Sequence, residues 1–208
     1  MYRKIIFFTL LLSLQFIHAQ ENQKAEQILN DLLTLVKKNA IKTNFKLTVY
    51  QKNQPQSTTG TFTLKVSKFY LEMSAMKVWF DGKTQWSYLI ENNEVSITEP
   101  SQKELSETNP MAILSGYKTK CSIRFSKLKS EQNYCIEMLP LKTTDEITKI
   151  DVQVNKTTGN LFSIRVTNKN GNNSLLTLSN FQKGIVANDN LFEYIPSHHK
   201  GVIINDLR

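Results

Sequence analysis

The 208-residue chain is short of the residue types that usually announce chemistry or break a fold into parts. It has two cysteines, three histidines, five prolines and seven glycines. Two cysteines exclude a disulfide-dense scaffold and a four-cysteine zinc site. Scarce proline and glycine leave no recognisable linker, so one domain is expected. No Gly-x-Ser-x-Gly elbow, phosphate loop or dinucleotide fingerprint occurs, and no cofactor is expected. His18 lies in an apolar leader, and the adjacent His198 and His199 have no further metal ligands near them in sequence, so no metal site is expected. No apolar run reaches the roughly 20 residues that a membrane-spanning helix needs.

The charge is also uninformative about chemistry. Lys and Arg number 26 against 18 Asp and Glu, for a net +8. The lysines are scattered singly, as in "KLKSEQ" and "TNKNGNN", whereas nucleic-acid binders concentrate them on one face. No nucleic-acid partner is expected. A hydrolase would have to work through carboxylates alone, with Asp81 and Glu94 as the pair to test. Asp81 precedes Gly82, however, and Asp-Gly is ordinary turn chemistry. No catalytic residue is assigned, and a non-enzymatic role is expected.

The N-terminus is patterned. Arg3 and Lys4 precede "IIFFTLLLSLQFI", and Ala19 precedes a polar stretch. Basic, apolar and small-residue regions in that order read as a secretory signal peptide cleaved near Ala19. Residues 1–19 are therefore expected to be the signal and 20–208 the mature domain. No cysteine sits at the cleavage point to take a lipid.

From Glu21 to Asn39, Ile28, Leu29, Leu32, Leu35 and Val36 recur at helical spacing. After Ala40 the period becomes two. "FKLTVY", "TFTLKVS" and "KFYLEM" place Phe45 and Leu47, Phe62 and Leu64, and Phe69 and Leu71 on alternating positions. "KVWF", "DGK" and "TQWSYLI" form an Asp-Gly hairpin, with Trp86 and Tyr88 sharing one strand face. "NPMAILSGY" interrupts the strands. Its Asn109 can cap a helix, Pro110 suits the first turn and Gly116 suits the stop, with Met111, Ile113 and Leu114 for an apolar face. Strands then resume as far as "SLLTLSNF", about ten in all, which argues a sandwich or barrel. Cys121 and Cys135 lie symmetrically about Leu128. A bridge follows if the hairpin is centred there; the plainer alternative is two small buried apolar residues.

The stretches "NFKLTVYQ", "GTFTLKVSKFYLEM", "FDGKTQWSY", "NPMAILSGY" and "LFEYIPSHHKGVIINDLR", in this order, resemble the LolA family of periplasmic carriers of outer-membrane lipoproteins. The resemblance implies an incomplete antiparallel β-barrel of about eleven strands, with the N-terminal helix and a short inserted helix as its lid. It implies a hydrophobic cavity for the acyl chains of lipoproteins. The partners implied are an inner-membrane lipoprotein-releasing transporter and an outer-membrane acceptor, and a monomer is expected. Leu32, Phe45, Leu47, Phe62, Leu64, Leu71, Trp86, Tyr88, Met111, Ile113 and Leu114 are the candidates for cavity and lid. One departure stands out: where family members carry an arginine linked to lid closure, this chain has Lys65 or Val66. The alternative readings are a binding or sensor protein of the same fold for another lipid or lipid-linked precursor, the carboxylate hydrolase, and a β-rich scaffold without a cavity.

Overall fold

A computed structural model describes residues 2–51, 54–102, 104–105, 109–142 and 144–208, with the backbone alone for 2–19 and 110. The first helix, α1, spans Tyr2–Lys38 and runs without a break through the expected leader. The leader's side chains lie outside the described residues. No described helix is long and apolar enough to cross a membrane.

The strands are β1 (Ile41–Gln51), β2 (Gln54–Lys65), β3 (Lys68–Met73), β4 (Met76–Phe80), β5 (Gln85–Leu89) and β6 (Glu94–Thr98). After the second helix, α2 (Pro110–Tyr117), come β7 (Cys121–Phe125), β8 (Asn133–Pro140), β9 (Ile147–Asn155), β10 (Leu161–Asn168), β11 (Asn173–Lys183) and β12 (Ile203–Asp206). These twelve, the strands among the described residues, lie in one sheet, ordered β12-β6-β5-β4-β3-β2-β1-β11-β10-β9-β8-β7. Neighbours are antiparallel except β12, which runs parallel to β6. Strands β7 and β12 are the two ends, so the sheet curls without closing: a half-open barrel. The resemblance implied about eleven strands. The additional one is the C-terminal β12, whose four residues are too few to show a period.

Alternation decides the two faces. Ile41, Phe45, Phe62, Leu64, Phe69, Leu71, Val78 and Phe80 point to one side of β1–β4, and Ile123, Ile136, Met138, Ile150, Val152 and Ile164 continue it across β7–β10. Onto this concave face α1 lays Ala25, Leu29, Leu32, Leu33 and Val36, a single stripe at the helical period. In α2, Met111 and Leu114, three apart, do the same. Asn109 caps α2 by accepting from the Met111 N–H at 2.9 Å. The helix runs through Gly116 and ends at Tyr117, so Gly116 is not its stop.

Gly60 has a specific reason to lack a side chain. It pairs with Phe45 on one side and Met73 on the other. A Cβ there would collide with the Glu72 carbonyl and lie 2.8 Å from the Phe45 ring. Glycine permits this close backbone approach and leaves room for the ring.

The proposed cysteine bridge is not formed. Cys121 lies opposite Pro140, and the Ser126 N–H donates to the Cys135 carbonyl. The hairpin is thus centred between Ser130 and Glu131, and not at Leu128. This change of parity sends Cys121 to the concave face and Cys135 to the convex one. Both are free and buried, and burial pushes both thiols up from their ordinary values.

Two outcomes follow. Gly60→Ala should destabilise the fold by about 2 kcal/mol, seen as a lowered urea midpoint, because the added methyl meets backbone that cannot yield. Protein purified without reductant should show both thiols alkylated after unfolding; a mass that requires reductant before alkylation would contradict the register.

Candidate functional site

The concave face is where the sequence candidates converge. Leu32, Phe45, Phe62, Leu64, Leu71, Met111 and Leu114 are buried in one continuous cluster, and Leu47 and Ile113 are partly buried against it. The cluster reaches from β4 through the centre of the sheet to β7. Among the described residues, α1, α2 and Leu105 cover it from the open side. Leu105 belongs to a helical turn begun by a capping box: the Ser101 N–H and hydroxyl both donate to Glu104 Oε2 at 2.7 Å.

Trp86 and Tyr88 are elsewhere, which corrects their assignment to the cavity wall. Trp86 lies opposite Trp79, and Tyr88 opposite Val95. These residues occupy the convex face, where Trp79, Val95 and Tyr194 form a separate cluster joined by Tyr70, Trp86, Tyr88 and Val202. The lid of this second cluster is the C-terminal segment. His199 stacks on Tyr194 at 4.7 Å between ring centroids and meets Tyr88 edge-on at 4.6 Å. Sequence reasoning missed this cover because Tyr194, His199 and Val202 show no periodicity. Trp79, Trp86 and Tyr88 of the hairpin anchor the chain end; they do not face the helices.

The two carboxylates weighed for the hydrolase alternative both hold local structure. Asp81 Oδ1 accepts from the Lys83 and Thr84 N–H groups at 2.8 and 2.7 Å, closing its own turn. Glu94 accepts from Asn205 across the β6–β12 junction. Among the described residues no group of three or more His, Cys, Asp and Glu is placed to hold a metal. A groove of about 540 Å³ opens on the convex face over β2, β1 and β11, but its side chains are chiefly polar: Asn44, Lys46, Thr59, Thr61, Thr177 and Ser179.

Lys65 and Val66 stand where the family's arginine was expected. Lys65 turns to the convex side, donating to the Ala187 carbonyl at 3.0 Å and to Asp189 Oδ1 at 2.7 Å. Lys68 reaches the other carboxylate oxygen at 2.9 Å. Val66 is the exposed tip of the hairpin, at φ 59°, a left-handed conformation rarely adopted by a β-branched residue. The lysine pair therefore tethers the segment leading to β12, and neither helix.

The two ammonium groups, by hydrogen bond first and charge second, hold the Asp189 carboxyl down at about 2. Its folded value lies below the ordinary one of about 3.9, so the tether is complete above pH ~4 and is lost as pH falls through about 2. Amide protection at residues 187–192, corrected for intrinsic exchange, should stay level from pH 8 to 5 and fall on further acidification. Asp189→Asn should lower it already at pH 7 while leaving protection in β8–β10 unchanged.

A family profile described as "Outer membrane lipoprotein carrier protein LolA" matches residues 15–166. An outer-membrane lipoprotein carrier protein of Shewanella sp. (strain MR-4) is 29% identical over 199 residues, covering 93% of this chain and 92% of that protein. Among solved structures, an uncharacterized conserved protein from Thermus thermophilus superposes with a TM-score of 0.58 at 10% identity, over 88% of this chain and 99% of the other. A DUF1329 family protein from Desulfovibrio piger does so with a TM-score of 0.51 at 11% identity, over 86% and 99%. At such identities the structural likeness speaks for the half-barrel fold alone. The profile match covers most of the chain, and with it the protein is placed: it belongs to the LolA family of outer membrane lipoprotein carrier proteins.

Proposed function

We propose that this protein is an exported, periplasmic carrier. It takes the acyl chains of lipoproteins onto its concave face and moves them from an inner-membrane releasing transporter to an outer-membrane acceptor. The observation that carries this reading is a continuous apolar surface on an unclosed sheet, covered by two helices and a capped turn.

Magnitudes favour exchange over simple insertion. Burying one acyl chain is worth on the order of 10 kcal/mol, at about 0.8 kcal/mol per methylene. The buried stripe of α1 carries Leu29, Leu32, Leu33 and Val36 beside Ala25. At about 1.5–3 kcal/mol each, these four large side chains are also worth on the order of 10 kcal/mol. Lifting the helix and admitting a chain are therefore comparable and opposed. Net binding is then small enough to reverse, as a carrier requires. The helices act as a lid because the apolar residues they cover are the ones a guest would cover instead. Met73, Met76 and Met111 at this surface adapt to varied chains, since thioether side chains repack at low cost.

The decisive experiment adds purified mature protein to spheroplasts. Newly made lipoproteins should appear in the soluble fraction bound to it. If none appears and mass spectrometry finds another lipid on the folded protein, the same surface serves that lipid, as a binding or sensor protein. Ile113→Asp, a change at a partly buried position on α2, should weaken binding of a fluorescent acyl probe about tenfold or more. Unchanged binding would remove α2 from the lid.

A further inference from the structure

The concave face is not apolar throughout. At β5 the pattern reverses. The residues across from Val78 and Phe80 are Ser87 and Gln85, and across from these on β6 are Ser96 and Thr98. Of the apolar residues of β5 and β6, Trp86, Tyr88, Val95 and Ile97 point to the convex side, while Leu89, at the end of β5, stands on the concave side between Met76 and Glu94. Glu94 lies on the concave side of β6 with Asn205 of β12 bonded to it. A polar strip of Gln85, Ser87, Glu94, Ser96, Thr98 and Asn205 thus borders the apolar surface and continues directly from it.

The strip is rich in acceptors, and its described residues include no cation. No lysine or arginine occurs in β5, β6 or β12. Gln85 Nε2 donates to Ser87 Oγ at 3.3 Å, while Gln85 Oε1 is buried with no hydrogen-bond partner among the described residues. A buried acceptor without a donor is costly, and nothing in plain sheet packing requires one there. It suits a ligand that brings N–H groups. The carboxylate of Glu94 makes the same strip unfavourable to a phosphate.

Resting on the carrier reading above, we propose that the β5–β6 strip holds the neutral, amide-bearing neck of an acylated peptide, where the fatty chains join the polypeptide. The strip selects lipoproteins over anionic phospholipids of equal chain length. Gln85 accepts from a cargo N–H, and Glu94 repels phosphate. Chain burial supplies affinity without discrimination, and the strip supplies discrimination.

The test uses the mature full chain and displacement of the neutral dye N-phenyl-1-naphthylamine. The competitors are a synthetic peptide whose N-terminal cysteine is N-acetylated and S-dipalmitoylglycerylated, which makes the neck a neutral amide, and dipalmitoyl phosphatidylglycerol. The wild type should bind the lipopeptide about tenfold more tightly. Gln85→Met should weaken the lipopeptide about five- to tenfold and leave the dye unchanged, as loss of one hydrogen bond predicts. Ser87→Ala, a smaller change on the same strip, should cost about two- to threefold and serves if Gln85→Met does not fold. Glu94→Gln should tighten phosphatidylglycerol about threefold. Equal binding of both competitors, or a preference untouched by the Gln85 and Ser87 changes, would overturn the strip while leaving acyl binding intact. If neither competitor displaces the dye, the carrier reading fails and the strip's role with it.

Discussion

The structure depends on how one large apolar sheet face is kept from water. Twelve strands curl, but β7 and β12 do not meet, so the concave side stays open along one flank. A closed barrel would bury that face with its own strands; here two helices must do it. The cover is amphipathic and fits one stripe of α1 and one turn of α2 against strands distant in sequence. It is held by side-chain packing and caps, without covalent ties. A cover of this kind can be exchanged for another apolar body of similar area, as the proposed carriage of acyl chains requires.

The convex face solves a different problem. Aromatic residues on β3–β5 would otherwise form an exposed patch. The chain end crosses them, with Tyr194, His199 and Val202 completing the cluster and β12 adding a parallel strand at the sheet edge. Lys65 and Lys68 fix the start of this segment through Asp189. The lysine standing in for the expected arginine therefore serves the back of the sheet. Whatever biases the helices in this protein is built from other contacts, chiefly the apolar stripe itself and the Asn109 cap.

Much of this was readable in advance for a physical reason. Where a strand is apolar on alternate positions, as in "FKLTVY" or "KFYLEM", the period states both the strand and the side it buries, and those residues did gather in one cluster. The cap in "NPM" is local chemistry, and it formed as written. The hairpin "KVWFDGKTQWSYLI" was legible as a hairpin and illegible as to side. Val78, Trp79 and Phe80 are consecutive and all buried, so alternation there names two faces without saying which one meets the helices. Trp86 and Tyr88 were misplaced for that reason. The cysteine pair failed on parity: a turn of soft, polar composition can be centred at Leu128 or between Ser130 and Glu131, and only pairing with β9 decides it.

The sequence by itself determined the local terms: an apolar stripe on the first helix, alternating strands, and a capped helix between β6 and β7. It also carried enough family pattern to name the carriers it resembles. The tertiary structure alone decided which face is concave, that Gly60 must yield its side chain to Phe45, and that the last residues close the convex face. It alone brought Gln85, Ser87, Glu94 and Thr98 to the rim of the apolar surface. These are long-range facts, since a side chain's period tells which residues stand together, and only the partner packed against them tells what that face is for.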